Sequence, residues 1–212
     1  MRILISGGPG AGCTSTANLI GAELGLPVFD SDAFFHKPTD PPFQEQYSPD
    51  ERRQLIAASL DTNSDWILSG SIATWDVDLV IVHFGVFLDP PKDERLRRLD
   101  LRERERFGSR IDLGGDLHSE NTNFMEWASG YEDRLERGRN RGTDRAFLVQ
   151  QCEFFVEISQ TKSLHDVALE IRGFLANPRS TTSRDTATPT SRPVDMIPRN
   201  INPNPASDAR PR

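Results

Sequence analysis

Lysine is scarce in this 212-residue chain: it occurs at Lys37, Lys92 and Lys162, and none of the three stands in a motif. Cysteine is scarcer still. Cys13 and Cys152 are too few for a disulfide framework, and the apolar start MRILISGG is too short for a signal peptide, so a reducing, cytoplasmic setting is expected. No stretch approaches the roughly 18 consecutive apolar residues of a membrane span, and no membrane partner is expected. A basic excess is missing too. Lys and Arg number 25 against 32 Asp and Glu, giving a net charge of −7, which argues against a nucleic-acid partner. His36, His83 and His118 lack partners at metal-ligand spacing.

Large apolar residues run out near the C-terminus. Residues 177–212 contain no aromatic residue, and six arginines there face three aspartates among Pro, Ser, Thr and Asn. Such a segment buries too little surface to offset its ordering entropy, so a disordered tail is expected after one folded domain over residues 1–176.

What the body has is alternation. Short apolar runs, RILIS, PVFD, DWILSG, FGVFLD and EFFVEIS, have the form of buried strands. Between them lie segments with helical spacing: Thr14–Leu24, PDERRQLIAASL, KDERLRRLDLRERERFG, NTNFMEWASGYEDRL and SLHDVALEIRGFL. Strands alternating with helices predict an α/β fold with a five-stranded, mostly parallel sheet covered by helices on both faces. Ligands then bind beyond the carboxyl ends of the strands.

The stretch ISGGPGAGCTST follows the first strand directly and opens a helix. It matches the phosphate-loop pattern G-x-x-x-x-G-K-[ST] at Gly7, Gly12 and Thr14, but Cys13 stands where the pattern has lysine. Glycines let backbone N–H groups turn around a phosphate, and the helix N-terminus adds positive potential. Gly8, Pro9, Gly10, Ala11, Gly12, Cys13, Thr14 and Ser15 are therefore the expected nucleotide-binding residues, with ATP as ligand and the Thr14 hydroxyl on Mg²⁺. A dinucleotide fingerprint fails, because Cys13 falls on its last glycine position. Helix-dipole reasoning predicts a lowered pKa for the Cys13 thiol. Positive charge is concentrated elsewhere, in ERLRRLDLRERERFGSR, where Arg95, Arg98, Arg102 and Arg106 follow near-helical spacing and Arg110 comes just after Gly108. Guanidinium groups suit phosphoryl oxygens. The interleaved Glu94, Asp100, Glu103 and Glu105 equally suit a salt-bridged solvent face.

This order of elements resembles the nucleoside-monophosphate kinase group of P-loop proteins, with adenylate, shikimate and gluconate kinases. It is most similar to an adenylate-kinase-like branch that lacks the loop lysine. The matching motifs are GAGCTST, FDSD (Phe29–Asp32), WILSGS (Trp66–Ser71), RERERFGSR (Arg102–Arg110) and GGDLHSENTNFMEWASGY (Gly114–Tyr131). The resemblance implies a P-loop NTPase fold with an arginine-rich lid, and ATP- and Mg²⁺-dependent phosphoryl transfer to a small-molecule or nucleotide acceptor. It implies catalytic roles for Asp32, Arg106 and Arg110, a metal role for Thr14 and Asp32, and acceptor contacts from Asp30 and Phe35. Asp30 and Asp32 fall on the same side of an extended chain and would both face the cleft; Asp30 also suits a helix or turn cap, and Phe35 with Phe34, His36 and Phe43 also suits local packing. Where adenylate kinases carry an acid late in the third strand, this chain has Ser69. With the missing lysine, that keeps a non-catalytic nucleotide-binding protein, a sensor or pseudokinase, as the alternative.

Overall fold

The structure is a computed structural model that describes residues 1–60, 64–79, 81–134, 138–159 and 162–178. The expected tail thus lies outside the described residues except for Asn177 and Pro178. Five strands form one sheet: β1 (Arg2–Gly7), β2 (Val28–Asp30), β3 (Trp66–Ser69), β4 (Val82–Leu88) and β5 (Cys152–Ile158). Their order is β2-β3-β1-β4-β5 and every pairing is parallel. The expected fold class is what is found.

The unbroken apolar run of β1 follows from its central place. Successive side chains point to opposite faces. Ile3 and Ile5 pack beneath α1 (Cys13–Leu24) and α7 (Leu164–Ala176), against Ala17, Ile20 and Ile171. Leu4 faces the other way, towards Ile56 of α3 (Pro49–Ser59) and Leu148 of α6 (Arg141–Gln151). All three β1 residues are at most 2% exposed. The chain leaves β1 towards β2 on one side and leaves β3 towards β4 on the other, so a crevice opens beyond the carboxyl ends of β1 and β3.

The arginine-rich segment is α4 (Lys92–Phe107), followed by a 3₁₀ turn (Gly108–Ile111) and α5 (His118–Ser129). These pack on each other through Leu99, Phe124 and Ala128, a small cluster separate from the two sheet faces. A buried Arg95, 1% exposed, ties this unit to the glycine loop: Nη1 donates to the Pro9 carbonyl at 2.6 Å, and Nη2 to the Ala128 carbonyl at 2.8 Å.

Three elements differ from the periodicity. Residues after FD were expected to stay extended, yet α2 (Ser31–Phe35) begins there, because the Asp30 carboxylate accepts from the Asp32 N–H at 2.9 Å and caps it. α6 is not among the expected helices, because its apolar residues Ala146, Phe147, Leu148 and Val149 are consecutive rather than spaced; Asp144 and Leu148 are buried, and Asn140 caps it by accepting from the Thr143 N–H. α5 begins three residues before the expected NTNF and stops at Ser129 rather than running to Leu135; Gly130 follows it, and Tyr131 turns beneath the loop. Among the described residues no helix is long and apolar enough to cross a membrane.

Candidate functional site

The loop between β1 and α1 owes its shape to its glycines. Gly10 and Gly12 hold positive φ of 87° and 93°. A Cβ on Gly10 would run into the Arg95 carbonyl oxygen, and one on Gly8 would meet the Tyr131 ring at 2.7 Å. A Cβ on Gly12 would meet no protein atom within 4 Å and would instead project into open space. Gly12 is also the N-cap of α1, where no side chain accepts from the first-turn amides. These donors have no helical acceptor of their own, and such a helix start has the geometry to take an anion.

The open space is a cavity of about 680 Å³. Its wall takes in every expected nucleotide-binding residue from Gly8 to Ser15, with Asp30, Asp32, Phe35 and Arg106. Arg98 and Arg102 of α4, Trp127 of α5, and Ser71, Trp75 and Arg139 complete much of the rest. The expected constellation is therefore brought together, with one exception. Arg110 does not line the cavity. It follows the break at Gly108 and is exposed on the 3₁₀ turn, where its guanidinium grips Asp116 at 2.7 Å.

Thr14 and the acidic pair are arranged unequally. Thr14 Oγ1 donates to Asp30 Oδ2 at 2.7 Å. Burial, and then the Asp32 charge, push the Asp30 carboxyl above its ordinary pKa, against hydrogen bonds from Thr14 and the Asp32 amide. Asp32 is exposed on the first turn of α2. Among the described residues no cluster of three His, Cys, Asp or Glu side chains is placed to hold a metal ion. A hydroxyl beside one carboxylate nevertheless suits Mg²⁺, which keeps several waters and takes substrate oxygens for its remaining positions. Phe35 packs on Trp75 at 5.8 Å and beneath the Arg52 guanidinium at 3.6 Å, so the packing role and the cavity role coexist.

The Cys13 expectation is overturned. The thiol is buried, and burial raises its pKa to about 12, with the nearby Arg139 acting against the rise. Desolvation outweighs the helix dipole because the side chain turns into the core cluster beside Ile5 and Ala17 rather than outward.

The sequence analysis names neither Arg139 nor Asp144, and it has Tyr131 only as the last residue of a motif. Asp144 is buried and accepts from Ser71 Oγ at 2.6 Å and Tyr131 Oη at 2.8 Å. Arg139 Nε lies 3.5 Å from Asp144 Oδ2, an ion-pair separation longer than a hydrogen bond. The sequence holds no signal for Arg139 or Asp144, because the burial of Asp144 and the approach of Arg139 to it are set by tertiary packing.

A parallel β2-β3-β1-β4-β5 sheet with a glycine loop opening α1 is the fold of the P-loop kinases. A shikimate kinase from Bacteroides thetaiotaomicron superposes with a TM-score of 0.50, at 18% identity over 83% of this chain and 98% of that one. A sugar kinase from Janibacter sp. HTCC2649 gives 0.47, at 17% identity over 85% and 98%. The shikimate kinase likeness is one of fold alone. No protein-family model matches the chain. In sequence it is 32% identical over 177 residues to the uncharacterized protein YqaC of Bacillus subtilis (strain 168), covering 83% of this chain and 98% of that protein. The chain belongs to the family of that protein.

Proposed function

We propose that the chain binds ATP with Mg²⁺ and transfers the γ-phosphoryl group to a hydroxyl of a small-molecule acceptor. The observation that carries this is the convergence of uncapped α1 amides, the Thr14–Asp30 pair and three arginines of α4 on one cavity. The shikimate kinase likeness in fold agrees with it. A second cavity of about 550 Å³ shares Gly12, Ser15 and Arg98 with the first and adds Leu88, Ile158 and Val167, an apolar slot suited to the nucleoside end of the donor.

In this mechanism the loop amides hold the phosphates by backbone donation. Thr14 and Asp30 form the magnesium side, and the ion when bound neutralises phosphate charge. The sequence expectation gave Asp32 to the metal and Asp30 to the acceptor; the Thr14–Asp30 hydrogen bond favours the exchange of those two roles. Asp32 takes the proton of the acceptor hydroxyl as its oxygen bonds to the γ-phosphorus. The bond from that phosphorus to the β–γ bridging oxygen breaks, and ADP leaves with the oxygen. Arg98, Arg102 and Arg106 neutralise the charge spread over the transferring group.

The neutral, buried Cys13 and the Ser69 at the end of β3 favour a second reading, nucleotide binding without turnover. The test is thermal stability of the full chain with ATP, with and without Mg²⁺, followed by ADP release in the presence of shikimate, gluconate and nucleoside monophosphates. Magnesium-dependent stabilisation with acceptor-stimulated ADP release supports the kinase. Stabilisation with no release under any acceptor supports the second reading. No stabilisation by any nucleotide refutes both.

A further inference from the structure

A loop without its lysine leaves the phosphates short of one cation, and position 13 brings none. Four arginines line the cavity. Three of them belong to α4 and rest on acids of the same helix: Arg98 on Glu94 at 2.7 Å, Arg102 on Glu103 at 3.0 Å and Arg106 on Glu103 at 3.7 Å. Their side chains are about a third or more exposed. Arg139 is different. It comes from the segment before α6, its side chain is 19% exposed, and it touches the loop itself. Its Nη2 donates to the carbonyl of Gly7, the first residue of the motif, at 3.1 Å.

The guanidinium is held from several sides. Asp144 stands 3.5 Å from Nε and is itself fixed by Ser71 and Tyr131. The Arg139 carbonyl accepts from Arg134 Nη1 at 2.9 Å, and Trp127 lies under the guanidinium at 6.0 Å. Arg139, Cys13 and the loop thus meet in one wall of the cavity.

On the nucleotide-binding reading above, we propose that Arg139 supplies from across the chain the positive charge that a lysine at position 13 would bring to the phosphates. Asp144, Tyr131 and Ser71 are its positioning residues. Arginine suits this task because it stays charged when buried and presents a rigid fork to phosphoryl oxygens. Cys13 is then the fitting partner. A small neutral thiol leaves the space to the guanidinium, whereas a lysine there would set a second cation against it.

The two positions should therefore be epistatic. The probe is magnesium AMP-PNP, its Kd measured by calorimetry on the full chain, with adenosine as a phosphate-free control. Arg139→Met should weaken AMP-PNP by about 10- to 100-fold, the range for loss of a charge-assisted contact, and leave adenosine unchanged. Cys13→Lys in that background should restore at least about tenfold, more than the same change gains in the wild-type chain. Arg139→Met strands a buried carboxylate, so Arg139→Met/Asp144→Asn is the variant that keeps the fold, checked by near-ultraviolet circular dichroism. Should the folded double variant bind AMP-PNP within about twofold of wild type, the proposal fails while nucleotide binding stands. Weakening that Cys13→Lys does not reverse also overturns the equivalence to lysine. A wild-type chain that binds no AMP-PNP overturns this proposal together with the reading it rests on.

Discussion

Two glycines of one loop should fail in opposite ways when a side chain is added. Gly10 and Gly12 both hold left-handed φ, so any L-residue at either position costs at least about 1–2 kcal/mol of backbone strain. Beyond that the positions diverge. At Gly10 the added Cβ meets the Arg95 carbonyl, part of the buried arginine that fastens α4 to the loop. Overpacking of that kind adds about 1–3 kcal/mol, so Gly10→Ala should cost about 2–5 kcal/mol in all. For a domain of this size each kcal/mol lowers Tm by about 2–4 °C, which gives a drop of about 4–20 °C. At Gly12 the Cβ meets nothing. Gly12→Val should melt only modestly lower, while its side chain fills the place where phosphate oxygens approach the α1 amides. The assay is thermal unfolding with and without magnesium AMP-PNP. At 100 times Kd the ligand stabilises wild type by about 2.7 kcal/mol; a hundredfold weaker Kd leaves about 0.4 kcal/mol. Gly12→Val should thus lose most of the ligand-induced shift. If it keeps the full shift, the phosphates do not sit at this helix start, and the site assignment is wrong.

Three further outcomes follow from the cavity. With its thiol pushed up to about 12 and buried, Cys13 should resist iodoacetamide at pH 8 in the folded protein, with or without nucleotide, and react only on denaturation; peptide mass spectrometry reads this, and prompt native labelling would contradict the buried placement. Asp30→Ala removes both the Thr14 contact and the α2 cap, so it should lower stability by about 0.5–2 kcal/mol and abolish the magnesium dependence of AMP-PNP binding, whereas a merely structural Asp30 would leave that dependence intact. If turnover is found, Arg106→Ala should lower it by about 10²–10³-fold; Arg110→Ala, exposed and held by Asp116, should stay within about twofold, and equal losses would put Arg110 back among the working residues.

Much of this architecture is written locally. An unbroken apolar run such as Ile3–Ile5 has to be covered on both faces, which already implies a parallel sheet between helix layers. Glycine spacing followed by Thr14 announces an anion cradle, because only glycine tolerates the left-handed turns at Gly10 and Gly12. The same letters led to errors where a neighbour in space decides the outcome. Helix-dipole logic expects a reactive Cys13, but the fold turns the thiol into the core, and desolvation wins. Spacing puts Arg110 with Arg106, but the break at Gly108 sends it to Asp116. Asp30 and Asp32 were expected on one extended edge, until Asp30 capped a helix and left its partner exposed. Arg139 carries no signal at all in one dimension. It lies 132 residues from Gly7, in a polar stretch, and only the tertiary fold sets its guanidinium on that carbonyl and beside Asp144. Periodicity reports which face of an element is buried. It is silent on which distant charge will meet a loop, because that depends on how elements pack and not on their own pattern.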